Sequence, residues 1–170
     1  MGKWNDTDEP NAYLITFRTY GTWLPGDERG SIDKYHNKYG GPRSVPSQGR
    51  ESRHAERLKS QPFLLNAATR KLVKSAVGDV CRYREWTLLA LSVRTNHIHA
   101  VVSAPVSPGK ILNDLKAYST RRLRENGEWH FEHSPWVDKG SGRYLWTEEH
   151  VVSACDYVIN GQGGPLPEFD

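Results

Sequence analysis

A chain of 170 residues, 36% hydrophobic and 25% charged, is long enough for one domain with a real core and too short for two unless both are small. The 23 Lys and Arg against 20 Asp and Glu leave +3 and a pI near 8.9, which admits a polyanionic partner without requiring one. A mean hydropathy of −0.71 and the lack of any apolar run near the roughly 20 residues that span a bilayer exclude a membrane protein. The start, Met1 to Asp6, lacks the apolar core of a secretion signal, and two cysteines cannot build a disulfide framework, so a cytoplasmic location is expected. Cys81 and Cys155 sit among apolar residues in predicted helices and read as small hydrophobes.

Tyr13 to Thr19 places large apolar side chains at odd positions and predicts a first strand. From Gly26 to Pro62 the chain turns to Gly, Pro, Ser, Arg and His with hardly any apolar periodicity, which predicts a long loop leaving the core. Leu72, Val73, Ala76, Val77, Val80 and Cys81 recur at helical spacing within Asn66 to Arg84 and predict a packing helix. Trp86 to Val93 and His97 to Ser103 are two β-type runs joined by Arg94-Thr95-Asn96, short enough for an antiparallel hairpin. Ser107-Pro108 is an N-cap and first helical position. Ile111, Leu112, Leu115, Ser119 and Leu123 then mark one face of a helix that Asn126-Gly127 can end. Gly142 to Trp146 is a short strand, Thr147 an N-cap, and Val151, Val152, Cys155, Val158 and Ile159 the stripe of a last helix ending at Gly161. The order strand, helix, strand, strand, helix, strand, helix predicts one α+β domain over 1–170. It is a ferredoxin-like (split βαβ) antiparallel sheet with its helices mainly on one face, interrupted by the loop at about 26–62.

The chemistry concentrates in two places. His97-Ile98-His99 lies in a strand, so alternation sends both imidazoles to one side and Ile98 to the other. Two such rings, about 6–7 Å apart along the strand, can hold a divalent ion if a third ligand and water complete the shell, and imidazole suits transition ions better than magnesium. A half-exposed or hydrogen-bonded role is the plain alternative. On the helix after the hairpin, Tyr118 lies beside the apolar stripe with Arg121 and Arg122 one turn on, and Lys110, Lys116 and Arg124 add to the basic face. A tyrosine is a poor nucleophile near its pKa of about 10 unless a metal polarises the phosphodiester that it attacks, so the set reads either as a transesterification site or as packing. Arg43, Arg50, Arg53, Arg57 and Lys59 in the loop, with six Trp and eight Tyr, fit single-stranded nucleic acid best. Arg18 and Trp23, which flank the first strand, join Lys116, Arg121 and Arg122 as candidate nucleic-acid contacts.

Thr95-Asn96-His97-Ile98-His99-Ala100-Val101-Val102 and Leu115-Lys116-Ala117-Tyr118-Ser119-Thr120-Arg121 resemble the metal-binding strand and the nucleophile helix of the HUH single-tyrosine transposases of bacterial insertion sequences. Among these the chain is most similar to the REP-associated tyrosine transposases. Phe17 to Asp27 and the helix end Tyr157-Val158-Ile159-Asn160-Gly161 extend the resemblance over most of the chain. It implies that His97 and His99 bind magnesium or manganese. Tyr118 then attacks single-stranded DNA beside a hairpin, leaving a 5′-phosphotyrosine and a 3′-hydroxyl, with no nucleotide cofactor. A bacterial, nucleoid-associated protein follows, a monomer given its long loop and extra tail, with a homodimer as the other state. The wider family often carries a glutamine ligand one helical turn after the nucleophile. Counted from Tyr118 that position is Arg122, which cannot ligate a cation, so Asp114, Glu148, Glu149, Gln162 or water are left for the third place. A non-catalytic hairpin-binding module, or a hydrolase in which the metal activates water, is the competing reading.

Overall fold

The structure, a computed structural model, describes residues 8–22 and 46–169. Its elements run β1 (Ala12–Arg18), α1 (Gln48–Glu56), α2 (Ala67–Tyr83), β2 (Thr87–Val93), β3 (His97–Ser103), α3 (Pro108–Glu125), β4 (Ser141–Leu145) and α4 (Glu148–Asn160). The four strands form one sheet in the order β2-β3-β1-β4, every neighbouring pair antiparallel, which is the ferredoxin-like arrangement expected. Each long helix starts where a polar side chain satisfies an orphan N–H. Asn66 caps α2 by accepting from Thr69 N, Ser107 caps α3 from Lys110 N, and Thr147 caps α4 from His150 N.

Alternation along the strands splits the molecule into two layers. Tyr13, Ile15 and Phe17 of β1 and Ile98, Ala100 and Val102 of β3 face α2 and α3, where they meet Val73, Val77, Val80, Ile111, Leu115 and Leu123 in the larger core. Ala12 and Leu14 of β1 and Val101 of β3 face the other way, against Ala154 and Val158 of α4. Burying a side chain such as Ile98 or Leu115 completely contributes about 1.5–3 kcal/mol, so the larger core supplies most of the drive to fold. In β2 the pairing shifts between Leu88 and Ala90, and this bulge lets Leu88, Leu91 and Val93 all reach the larger core while Ala90 turns to α4. Cys81 is buried, with its thiol pushed up to about 11 by burial, and Cys155 is half-buried; both are unbridged.

The described part of the expected loop contains a helix, α1, which Ser47 caps by accepting from Arg50 N. None of its residues is buried, so no apolar period could have revealed it. β4 approaches the start of α3 so closely that a Cβ on Gly142 would collide with the Pro108 ring and touch Ile15 Cδ1. Gly142→Ala is therefore expected to destabilise the fold by about 1–3 kcal/mol as an overpacking change. An unchanged urea midpoint would contradict this reading of the β4–α3 contact.

Candidate active site

The face of the sheet that meets α4 changes character along its strands. One row is Ala90, Val101, Leu14 and Arg143; the next is Ser92, His99, Thr16 and Ser141; beyond that His97 pairs with Arg18. The apolar row holds α4, and the polar rows begin where its C-terminal end arrives. α4 starts at the opposite end of the strands, where Glu148 and Val151 share a shallow depression with Thr87 and Ser103. It finishes beside the histidines. The Tyr157 ring packs edge-on against His99 with centroids 5.5 Å apart, and the two imidazoles are themselves 5.0 Å apart. Just past the helix, Gln162 Oε1 comes to 3.1 Å from His97 Nε2 while its amide Nε2 donates to Tyr157 O at 3.1 Å.

The local chain is built for this approach. A Cβ on Gly161 would sit 2.7 Å from Tyr157 O and 3.0 Å from the Tyr157 ring, so only glycine lets the chain turn there and carry Gln162 back to His97. The far nitrogen of each imidazole is anchored. His97 Nδ1 lies 2.7 Å from Asn96 Oδ1, and His99 Nδ1 lies 2.7 Å from Thr16 Oγ1. In the tautomers in which both Nδ1–H groups donate to these oxygens, each ring keeps its Nε2 lone pair for a cation. The lone pairs of His97 Nε2 and Gln162 Oε1 then face each other, an arrangement that a cation relieves. Burial, and secondarily the charge of His97, pulls His99 down to about 4, so His99 stays neutral, as a ligand must, at any ordinary pH.

His97, His99 and Gln162 thus fit one divalent ion as two imidazole nitrogens and an amide oxygen, a set that suits manganese-type ions better than magnesium. Among the described residues no three His, Cys, Asp or Glu side chains converge on a metal position, so water would complete the shell. The other candidates for a third ligand lie elsewhere. Asp114 is paired with Lys110 at 2.7 Å and Arg84 at 3.0 Å on the α2–α3 side, and Glu148 and Glu149 open α4 at its far end.

The sequence of residues 56–160, more than half of the chain, matches the model of the family described as "Transposase IS200 like". The chain belongs to the IS200-like transposase family. None of the curated proteins matches it. Among solved structures, it is similar to a REP-associated tyrosine transposase bound to a REP hairpin, at 11% identity over 93% of this chain and 70% of that one, with a TM-score of 0.49. It is also similar to a candidate transposase from Deinococcus radiodurans, at 15% identity over 97% of this chain and all of that one, with a TM-score of 0.47.

Within this IS200-like transposase, His97 and His99 share one face of the sheet as expected, Arg18 lies cross-strand from His97, and Tyr118 does not join them. Tyr118 sits on α3, beyond the sheet from the histidines, packed against the larger core, with its ring 6.4 Å from Tyr83 and the Arg121 guanidinium 5.2 Å above it. The expected cleft shared by Tyr118 and the histidines is therefore corrected: α3 covers the Ile98 face, and the imidazoles point away from it. Arg122 is held between Ser75 Oγ at 2.7 Å and Asp79 Oδ2 at 2.5 Å, so it fastens α3 to α2 and keeps the Asp79 carboxyl below its usual range. Lys116 donates to Val137 O and Asp138 O, and burial lowers its pKa. Arg121 is exposed on the outer side of α3, along a groove with Asn113, Thr120 and Arg124. Trp23 lies outside the described residues. No helix among the described residues is long and apolar enough to cross a membrane.

Sequence reasoning missed Tyr157 as a site residue, although the spacing of Tyr157, Gly161 and Gln162 at a helix end held the signal. The buried His99 generates a stability prediction. An unfolded histidine titrates near 6.5, so between 6.5 and about 4 the unfolded chain binds a proton that the folded chain refuses. In metal-free protein, stability is expected to fall on the order of 3 kcal/mol as pH drops through that window and to level off below it. His99→Gln should flatten that part of the profile in urea titrations at stepped pH; a slope equal to the native one would contradict the assignment.

Proposed function

We propose that the chain is a metal-dependent nuclease and strand transferase acting on single-stranded DNA beside a hairpin, with Tyr157 as its nucleophile. The observation that carries this reading is the meeting of Tyr157, His97, His99 and Gln162 at the C-terminal end of α4. It is supported by membership in the IS200-like transposase family and by the position of Gln162, just over one helical turn after Tyr157. The resemblance leads one to expect the glutamine four residues after the nucleophile; here it comes five residues after Tyr157, past the end of α4, and reaches His97 through the turn at Gly161.

A divalent ion held by His97, His99 and Gln162 would supply Lewis acidity at a phosphate oxygen. Tyr157 is half-exposed beside those ligands, so its hydroxyl has access to a phosphodiester. Its oxygen bonds to phosphorus, the bond to the 3′ oxygen breaks, the phenolic proton passes to water, and the departing 3′ oxygen takes a proton. The product is a 5′-phosphotyrosine whose bond energy is conserved, so attack by a 3′-hydroxyl reverses the step without a nucleoside triphosphate. Arg18, cross-strand from His97 on the same face, supplies positive charge beside the scissile backbone.

Labelled single-stranded hairpin oligonucleotides from the genomic neighbourhood, incubated with manganese or EDTA and run on a denaturing gel, test it. A manganese-dependent covalent adduct is expected, abolished by Tyr157→Phe and by His97→Ala and kept by Tyr118→Phe. An adduct that survives Tyr157→Phe and disappears in Tyr118→Phe would overturn the choice of nucleophile. Cutting without any adduct would favour an activated water. Hairpin binding with neither cutting nor adduct would make the chain a binding module.

A further inference from the structure

Gln162, the third ligand of the proposed metal site, does not sit on a regular element. Gln162 belongs to residues 161–169, which follow α4 without helix or strand, so something other than a backbone ladder must hold it at His97. The contacts of that segment identify what does. Arg94, the first residue after β2, donates from Nη1 to Gly164 O at 2.9 Å. Its own backbone N–H closes the β2–β3 turn on His97 O at 2.9 Å. One tight turn therefore meets the segment at two points, with His97 facing Gln162 and Arg94 holding the backbone two residues later. Further along, the buried Arg70 of α2 donates from Nη2 to Pro167 O at 2.5 Å, and the Lys71 ammonium lies 5.3 Å over the Phe169 ring.

Resting on the metal site proposed above, we infer that Arg94 is a positioning residue for Gln162. Its guanidinium fixes the 161–164 turn, and Arg70 fixes the segment beyond, so that the amide oxygen is presented to His97 before any cation arrives. The physical basis is preorganisation. A half-buried glutamine on an irregular segment loses rotamer and backbone freedom when it ligates, and a segment already tied at Gly164 and Pro167 has less to lose. Partners bonded directly to a ligand alter metal affinity by about 10- to 100-fold, and Arg94, which holds Gln162 through the backbone at Gly164, acts at the lower end of that range.

The test is the manganese affinity of the full chain without DNA, read from the electron paramagnetic resonance signal of unbound Mn(II), with a thermal melt of every variant. Arg94→Ala is expected to weaken manganese binding about tenfold, and Arg94→Lys to restore part of it through one remaining donor. Arg94→Met keeps the aliphatic stem and should behave as Arg94→Ala, which guards against a loss caused by unfolding. In a Gln162→Ala background Arg94→Ala should have no further effect, because its influence runs through Gln162. Full manganese affinity in Arg94→Ala, with weakened binding in Gln162→Ala, would overturn this inference alone, as would additive effects in the double variant. Unchanged binding in Gln162→Ala and in His97→Ala would remove the metal site itself, and this inference with it.

Discussion

Ile98 and His99 cannot face the same side of the sheet. That alternation, imposed by the pleat, decides which helix serves the core and which can serve chemistry. With Ile98, Ala100 and Val102 committed to the large core under α2 and α3, the imidazoles of His97 and His99 have to emerge beneath α4. The same rule in β1 puts Thr16 and Arg18 beside them, and the antiparallel register aligns Thr16 with His99 and Arg18 with His97. A polar row can exist on an otherwise apolar face because α4 carries its stripe only as far as Val158 and ends at Asn160.

The cost of that arrangement falls on His99, which is nearly buried yet keeps a hydrogen bond to Thr16 and remains neutral. A neutral, oriented imidazole is what a cation requires of a ligand, so the burial that would penalise a charged histidine favours a coordinating one. Gln162 is supported differently. It is held by the hydrogen bond that its side-chain amide donates to Tyr157 O, by glycine at position 161, and by arginines that reach the segment from the end of β2 and from α2. The site thus joins a rigid strand to an irregular segment anchored at several points.

Much of the fold was legible in the residues. Alternation located β1 and β3, and Ser107-Pro108 and Thr147 marked the starts of α3 and α4, because caps and alternation are local and depend little on distant packing. The bulge in β2 was not legible, since a single extra residue changes which face Leu88 takes without changing composition. α1 was missed because a helix with no buried residue leaves no apolar period. The histidine pair was found for the same reason as β3: two positions apart on a strand is a statement about direction. Tyr118 stands in basic surroundings on the helix that follows the hairpin, but two of those charges, Arg122 and Lys116, hold α3 to α2 and to the following loop. Which face of the sheet each helix covers is a long-range property. It follows from the crossover connections and the size of the two cores, which no window around Tyr118 or Tyr157 contains.

The site proposed for the reaction lies on the α4 face of the sheet. The most direct measurement is to trap the covalent protein–DNA product in manganese, digest it with trypsin and nuclease, and locate the nucleotide-bearing tyrosine by mass spectrometry. The label is expected on the peptide that contains Tyr157. A label on the peptide that contains Tyr118 would contradict it, because the histidines and that tyrosine stand on opposite sides of the sheet.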